Sequence, residues 1–443
     1  MSDKKPSLAP LYGAAFGFNT DRRVKPVHLA TGFFVSLLGR QFRAEFLNNV
    51  VAFTDGKDHT GNYALGKLHA ALRSAHKIGP LIGQRELHLL RKHLRALANN
   101  DEAVFPIYGE KEFGCDYSTA SEDVLTRTRD NDGFAGHFIC TILDATDDGR
   151  EILRFARDWM AQSNAPLRQI YQPLLDLEAQ DTDIAERYAN QIGELKPKRI
   201  KRVAKQMTRQ TAALRALCRT AEVTTASETR LRFLIIGLCL WLFRYLIVES
   251  LENARQPIVL LCDAIGESSS RMRAQSRWSY ARLRESLVAG FAAFADEGRF
   301  DECEEAWDYI KTTQGGKPKF EEFYGTIALR SGLAQPRASR VPAKHFEPQP
   351  DTLRVMVLSV LTHDEPMVSL PDALERLYSV WGVVFGGRPD DARLLGDLGY
   401  AGLDQDHDLT PNVDCLVSLL AELGLATQLS DGLVMCHSLP KFS

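Results

Sequence analysis

Three groups of residues combine the right types with a spacing that chemistry could use. The run GNYALGKL, Gly61 to Leu68, fits the pattern G-x-x-x-x-G-K. In that pattern backbone amides cradle phosphate and the lysine, here Lys67, reaches its outer oxygens. Gly61 and Gly66 stand where they should. Leu68, however, replaces the Ser or Thr that would hold magnesium, and DGKDHT separates the first glycine from the nearest strand-like run. The second group is Asp263, which closes the apolar run PIVLLCD and could offer a carboxylate to the same ion. The third is the loop LDQDHDLT, in which Asp404, Asp406 and Asp408 surround His407. Acids at that density suit either a cation or solvent, and we read a solvated loop.

Other chemistry finds less support. His88 and His93 are five apart, and His69 and His76 are seven apart. Neither pair has the i, i+4 spacing that puts two imidazoles on one zinc ion. The eight cysteines include no C-x-x-C pair and mostly have apolar neighbours. That pattern suits buried, reduced thiols and a cytoplasmic protein. The N-terminal MSDKKPSLAP has lysines but no apolar run behind them, unlike a secretory signal. The sequence therefore assigns no catalytic residue, no metal and no cofactor, and it leans away from an enzyme.

The cations say more. Nine lysines and arginines, and no acid, lie between Lys196 and Arg219, including Lys198, Arg199, Lys201, Arg202, Lys205 and Arg209. Ile200, Val203, Met207, Leu214 and Cys218 recur there at helical spacing, so the apolar stripe can face a core. RMRAQSRWSYARLR repeats the theme with Arg271, Arg273 and Arg277, and adds Trp278. Like charges repel, so cations without acids suggest a polyanion. Arginines beside aromatics can also stack on bases. These ten residues, from Lys198 to Trp278, are the candidate nucleic-acid contacts. Solvation, or pairing with acidic helices such as DLEAQDTDIAE, is the plainer alternative.

The elements that would position these residues are mainly helical. Apolar spacing predicts helices over 28–53, 63–76, 84–98, 122–128, 134–143, 151–160, 167–177, 184–192, 200–219, 228–251, 271–294 and 303–310. LRFLIIGLCLWLFRYLIV, Leu231 to Val248, is the decisive stretch. A membrane span needs about 20 apolar residues. Here Arg232 and Arg244 leave only Phe233 to Phe243 between them. A helix apolar on all sides then reads as the centre of a soluble fold, with Gly237 allowing close approach of a neighbour and no membrane span. The two cationic segments flank this helix and could present one positive surface around it. SLVAGFAAFADEGRFDECEEAWDYI resembles one unit of a tetratricopeptide-type repeat, which implies a helix pair turning at Gly298.

The chain divides into a helical body over 1–333, with a break near 100–150, a proline-rich linker over 334–350, and a C-terminal unit over 351–443. Pro336, Pro342, Pro348 and Pro350 argue against regular structure in the linker. After it Ser369 and Thr410 read as N-caps, with Pro371 and Pro411 in the first turns of the helices they open, and then come two strands around Asp431-Gly432. Helices followed by a small hairpin resemble a winged helix. That unit holds fourteen acids against five lysines and arginines. Its helix before the hairpin offers Asp414 and Glu422 and no base, so the resemblance implies protein contact rather than DNA binding.

Together these readings predict a mainly α protein with a winged-helix-like C-terminus. Its expected role is a non-enzymatic adaptor or structural subunit of a multiprotein, nucleic-acid-handling assembly. The combination is reminiscent of accessory subunits in bacterial DNA-modification and phage-defence systems. The alternatives are an enzyme built on a degenerate P-loop and a winged-helix transcription regulator.

Overall fold

The computed structural model describes residues 6–42, 132–162, 179–181, 184–251, 258–296, 303–314, 321–336, 343–361 and 365–437, apart from 22, 23, 39, 226, 268, 366 and 401. Among the described residues the chain is mainly helical. Its first part holds α1 (Ala9–Phe16), α2 (Pro26–Leu38), β1 (Arg40–Phe42), α3 (Ala135–Asp144), α4 (Asp147–Gln162), β2 (Ala179–Asp181) and α5 (Ile184–Ile192). Then follow α6 (Pro197–Gln206), α7 (Thr208–Thr224), α8 (Ser227–Leu251), β3 (Leu260–Leu261), α9 (Arg271–Asp296), α10 (Glu304–Gln314) and α11 (Glu321–Arg330).

α8 is the axis of the fold. Its apolar side chains point in every direction, so burying them needs neighbours on every side. α2, α4, α7, α9 and α11 supply those neighbours. Thr229–Ser250 is long and apolar enough to cross a membrane, and 83% of its apolar window is buried inside the protein. Trp241 is fully enclosed and donates to Thr211 Oγ1 at 3.2 Å. Tyr245 donates to Phe16 O at 2.9 Å. Gly237 does admit a neighbour: a Cβ there would lie 2.5 Å from Leu214 on α7.

The two arginines that bracket the apolar run have separate solutions. Arg232 pairs with Asp351 at the surface. Arg244 lies against Gly382, whose φ of 72° favours glycine, and a Cβ there would come within 2.6 Å of Arg244 Nη1. Desolvation lowers the pKa of Arg244, and its Nε and Nη1 have no hydrogen-bond partner among the described residues.

The remainder holds β4 (Ala334–Gln335), β5 (His345–Phe346), α12 (Pro350–Val360), β6 (Met367–Ser369), α13 (Leu370–Trp381), β7 (Val383–Val384) and α14 (Asp391–Asp397). A π-turn over Gln405–Leu409 leads into α15 (Thr410–Glu422), followed by β8 (Ala426–Gln428) and β9 (Val434–His437). β6, β9 and β8 form an antiparallel sheet in that spatial order. β3 lies parallel to β7, and Cys262 bridges in parallel to Phe346. The body and the C-terminal segment thus share sheet hydrogen bonds, and one hydrophobic cluster runs from Leu8 to Cys436.

Several local expectations change. The helix expected over 28–53 ends at Leu38, because Arg40–Phe42 pairs with Ala179–Asp181. The helix expected over 200–219 breaks at Met207 into α6 and α7. The proline-rich stretch is not wholly irregular: β4 and β5 pair antiparallel, with Pro336 just beyond β4 and Pro350 opening α12. Ser369 caps α13 as expected, accepting from Asp372 N at 3.3 Å. Thr410 is not a cap, since the π-turn already carries the chain into α15 and Asp404 caps that turn. The helices expected over 63–76, 84–98, 122–128 and 167–177 lie outside the described residues.

Truncating the axis should be costly. Leu238→Ala should lose about 2–5 kcal/mol and Trp241→Ala about 3–5 kcal/mol of folding stability through the cavities left behind. Denaturant unfolding measures both, and a negligible loss at both sites would contradict this packing.

Candidate nucleic-acid interface

α6 has two chemically different faces. Arg199 and Arg202 turn inward. Arg199 Nη1 donates to Gly13 O and Ala14 O at 3.0 and 2.7 Å, and Nη2 donates to Ala15 O at 2.6 Å. These are carbonyls of the last turns of α1, which carry negative partial charge; Gly13 O also accepts from Gly17 N at 2.7 Å. Arg199 Nη2 also reaches Glu249 at 3.3 Å. Arg202 grips the same carboxylate with two bonds of 2.9 and 2.6 Å. Burial opposes the charge on Arg199, yet Tyr245 and Glu249 outweigh it and its pKa stays raised. These two arginines tie α1, α6 and α8 together.

The outer face of α6 is different. Lys198, Lys201 and Lys205 are exposed, and Arg209 continues them in the first turn of α7. Lys198, Lys201 and Lys205, three and four residues apart, lie along one side of α6, whereas Arg209 stands beyond the break at Met207. Among the described residues none of the four takes an acidic partner. Farther along α7 the cations are engaged: Arg215 pairs with Asp148, and Arg219 holds Glu151 through two bonds of 2.8 Å. The hydrogen bond from Arg219 lowers the pKa of Glu151.

In the second cationic segment Arg273 is spent inside the fold. Arg273 Nε donates to Asp263 Oδ2 at 2.8 Å and Nη2 donates to Glu347 Oε2 at 2.6 Å. His345 Nε2 meets the same Glu347 oxygen at 2.8 Å, and its Nδ1 faces Ala343 O at 3.1 Å. Asp263 is completely buried at the end of β3. Asp263, His345 and Glu347 present donor atoms within 4.8 Å of one another, close enough to share a metal ion. Arg273 bonds both carboxylates and already brings them a positive charge. Asp263 is therefore held by a guanidinium, not poised as an open magnesium ligand.

Arg271 is exposed and reaches Asp408 at 3.5 Å. Arg277 is half-buried. Trp278, 40% exposed, meets Tyr400 edge-on with ring centroids 4.6 Å apart, and the Arg282 guanidinium lies 5.0 Å from its ring. Trp278 thus helps join α9 to the C-terminal segment. In the acidic loop, Asp404 accepts from the backbone of Asp406 and His407 and meets the His407 ring at 2.7 Å. That contact raises the pKa of His407 and lowers that of Asp404. Gly61, Gly66 and Lys67 lie outside the described residues.

The two cationic segments keep different company. Arg199 and Arg202 gather around α1 and Glu249, whereas Arg271 and Arg273 face β5 and the C-terminal loop. Sequence reasoning missed Glu249 and the Arg273 network. Glu249 did leave a signal, as an acid on a helix otherwise apolar on all sides must find a cation.

An open pocket of about 640 Å³ lies beside the first turn of α6, between α1, α5 and the 193–196 connection. Lys196 and Arg199 are part of its wall.

Comparison with protein-family models, curated proteins and solved structures finds no match to this chain.

Two outcomes follow from the Arg273 network. Arg273→Ala strands Asp263 in the core and should cost about 3–5 kcal/mol in chemical denaturation, as for other broken buried pairs. The hydrogen bond from His345, with Arg273 nearby, holds the pKa of Glu347 below its ordinary 4.5. Its stabilising contribution is complete above that value and is lost as pH falls through the lower folded value. Melting temperature should therefore drop less steeply between pH 5 and 3, a range about the reference carboxylate pKa, in Glu347→Gln than in the parent.

Proposed function

We propose that this protein is a non-enzymatic subunit of a nucleic-acid-handling assembly and that it meets the polyanion through the outer face of α6 and the start of α7. One observation carries the reading: Lys198, Lys201 and Lys205 are exposed along one side of α6, Arg209 is exposed at the start of α7, and none of the four has an acidic partner among the described residues. Like charges three and four residues apart destabilise a helix by about 0.2–0.5 kcal/mol per pair. A row of phosphates relieves that repulsion and releases counterions as it binds. Arg199, Arg202 and Arg273 leave the proposed contact set, because their guanidinium groups already serve the fold. Arg271, Arg277 and Trp278 are at most secondary to this face.

The C-terminal segment fits a winged helix in the order of its elements. α12, β6, α13, α15, β8 and β9 come in that order, with β7, α14 and the π-turn inserted between α13 and α15, and β9 is the central strand. The turn at Asp431-Gly432 is then the wing. The outer side of α15 presents Thr410, Asp414, Ser418 and Glu422, all exposed. That face repels phosphate, so we assign the unit to protein contact within the assembly. The buried cysteines support a reducing, cytoplasmic setting.

The test is charge reversal on the outer face alone. Lys198→Glu, Lys201→Glu and Lys205→Glu combined should weaken binding to DNA and RNA of any sequence, since these side chains address phosphates. The dependence of log affinity on log salt should flatten by about 2–3, near 0.9 per lost duplex contact. Fluorescence anisotropy across a salt series reads both quantities. A parent protein that binds neither DNA nor RNA at low salt would remove the proposal.

A further inference from the structure

We infer that the pocket beside α6 binds a free amino acid with an apolar side chain, through its ammonium and its carboxylate at once. The charged side chains in the wall are Glu194, Lys196 and Arg199. Arg199 is already committed to the carbonyls of α1 and to Glu249. That leaves one acid and one base, both exposed. Among the described residues neither side chain has an ion-pair or hydrogen-bond partner. They do not pair with each other, although only Leu195 separates them. A cavity with one free charge of each sign suits a ligand that carries both.

The order of the two charges opposes the helices they border. Glu194 lies just beyond α5, at the end where a helix carries negative partial charge. Lys196 is the N-cap of α6, at the positive end, and makes no side-chain cap hydrogen bond. Acids favour helix starts and bases favour helix ends, so the stabilising arrangement would be the reverse. An ammonium bound beside Glu194 and a carboxylate bound beside Lys196 would neutralise both ends. Gly193, at φ 99°, turns the chain between the helices, and a Cβ there would meet nothing within 4 Å. The turn therefore borders open space.

The rest of the wall suits an apolar side chain. Pro10, Ile192 and Leu195 contribute to it. Ile192 is buried against α1, where a Cβ on Gly13 would lie 2.5 Å from its side chain. Tyr188, also in the wall, donates to Gly17 O at 2.6 Å and ties α5 to the end of α1. The volume of about 640 Å³ falls within the roughly 300–1,000 Å³ of small-molecule sites. A free amino acid keeps both charges on one carbon, close enough for residues two positions apart to reach. Neither Glu194 nor Lys196 belongs to the lysine row, so this site and the nucleic-acid face succeed or fail separately.

The experiment is calorimetric titration of the whole protein with L-leucine, L-methionine and L-phenylalanine, each also as its N-acetyl and its amide form. The acetyl form lacks the ammonium, and the amide form lacks the carboxylate. At least one free amino acid should bind, and both its blocked forms should bind about tenfold or more weakly, as for loss of one charged hydrogen bond. Glu194→Gln should weaken the free amino acid to the same degree while its N-acetyl form is unchanged. Lys196→Met should also weaken it and leave the amide form unchanged. Without ligand, both variants should keep or raise the melting temperature, because each removes a charge from the unfavourable helix end. No binding of any of the three, equal affinity for the blocked forms, or binding that survives both substitutions would overturn the site. So would a lower melting temperature in both variants, since the charges would then serve the fold.

Discussion

Everything in this fold answers to the burial of α8. A helix apolar on one side can lie on a surface, but a helix apolar on all sides must be surrounded. Leu238, Trp241 and Tyr245 are enclosed by segments drawn from both ends of the chain. The few polar groups on α8 then set the remaining design. Glu249 is buried, so Arg199 and Arg202 must face it. Arg232 meets Asp351, and Arg244 lies on the backbone of Gly382. Each of these charges fixes a neighbour in place.

This constraint sorts the cations into two kinds. Arginines that satisfy buried acids or helix-end carbonyls are structural, and their planar fork explains why arginine and not lysine occupies those positions. Arg199, Arg202 and Arg273 all make several bonds at once. The lysines between them make none of that kind. Lys198, Lys201 and Lys205 stand outward on the same helix whose arginines point inward. The alternation of arginine and lysine in KPKRIKRVAK thus maps onto inside and outside.

Much of this was legible from periodicity. The limits of α5 and α8 follow from apolar spacing, and the cap at Ser369 follows from Ser-x-Pro chemistry. The missed elements have local causes. β1 is three residues long and exists only because Ala179–Asp181 pairs with it, which no window on residues 28–53 can show. The π-turn at Gln405–Leu409 depends on the Asp404 cap and therefore displaced Thr410 from its expected place. The candidate site was read only in part. Composition shows that acids are absent nearby in sequence, not that Glu249 and Asp263 are absent nearby in space. A run of cations therefore overstates the free charge until its partners are located.

The contact between β3 and β7 has a consequence for how the chain can be divided. Asn412, fully buried on α15, donates to Cys262 O at 3.0 Å and Phe385 O at 2.8 Å, and accepts from Ala264 N at 2.7 Å. One amide thus stitches the ends of two strands to the last long helix. Cutting the chain at the proline-rich stretch would strip β3 of its partner and leave an unpaired apolar edge. The two halves are bound as a torn page is to its margin, each carrying part of the same line, and neither fragment inherits a finished surface.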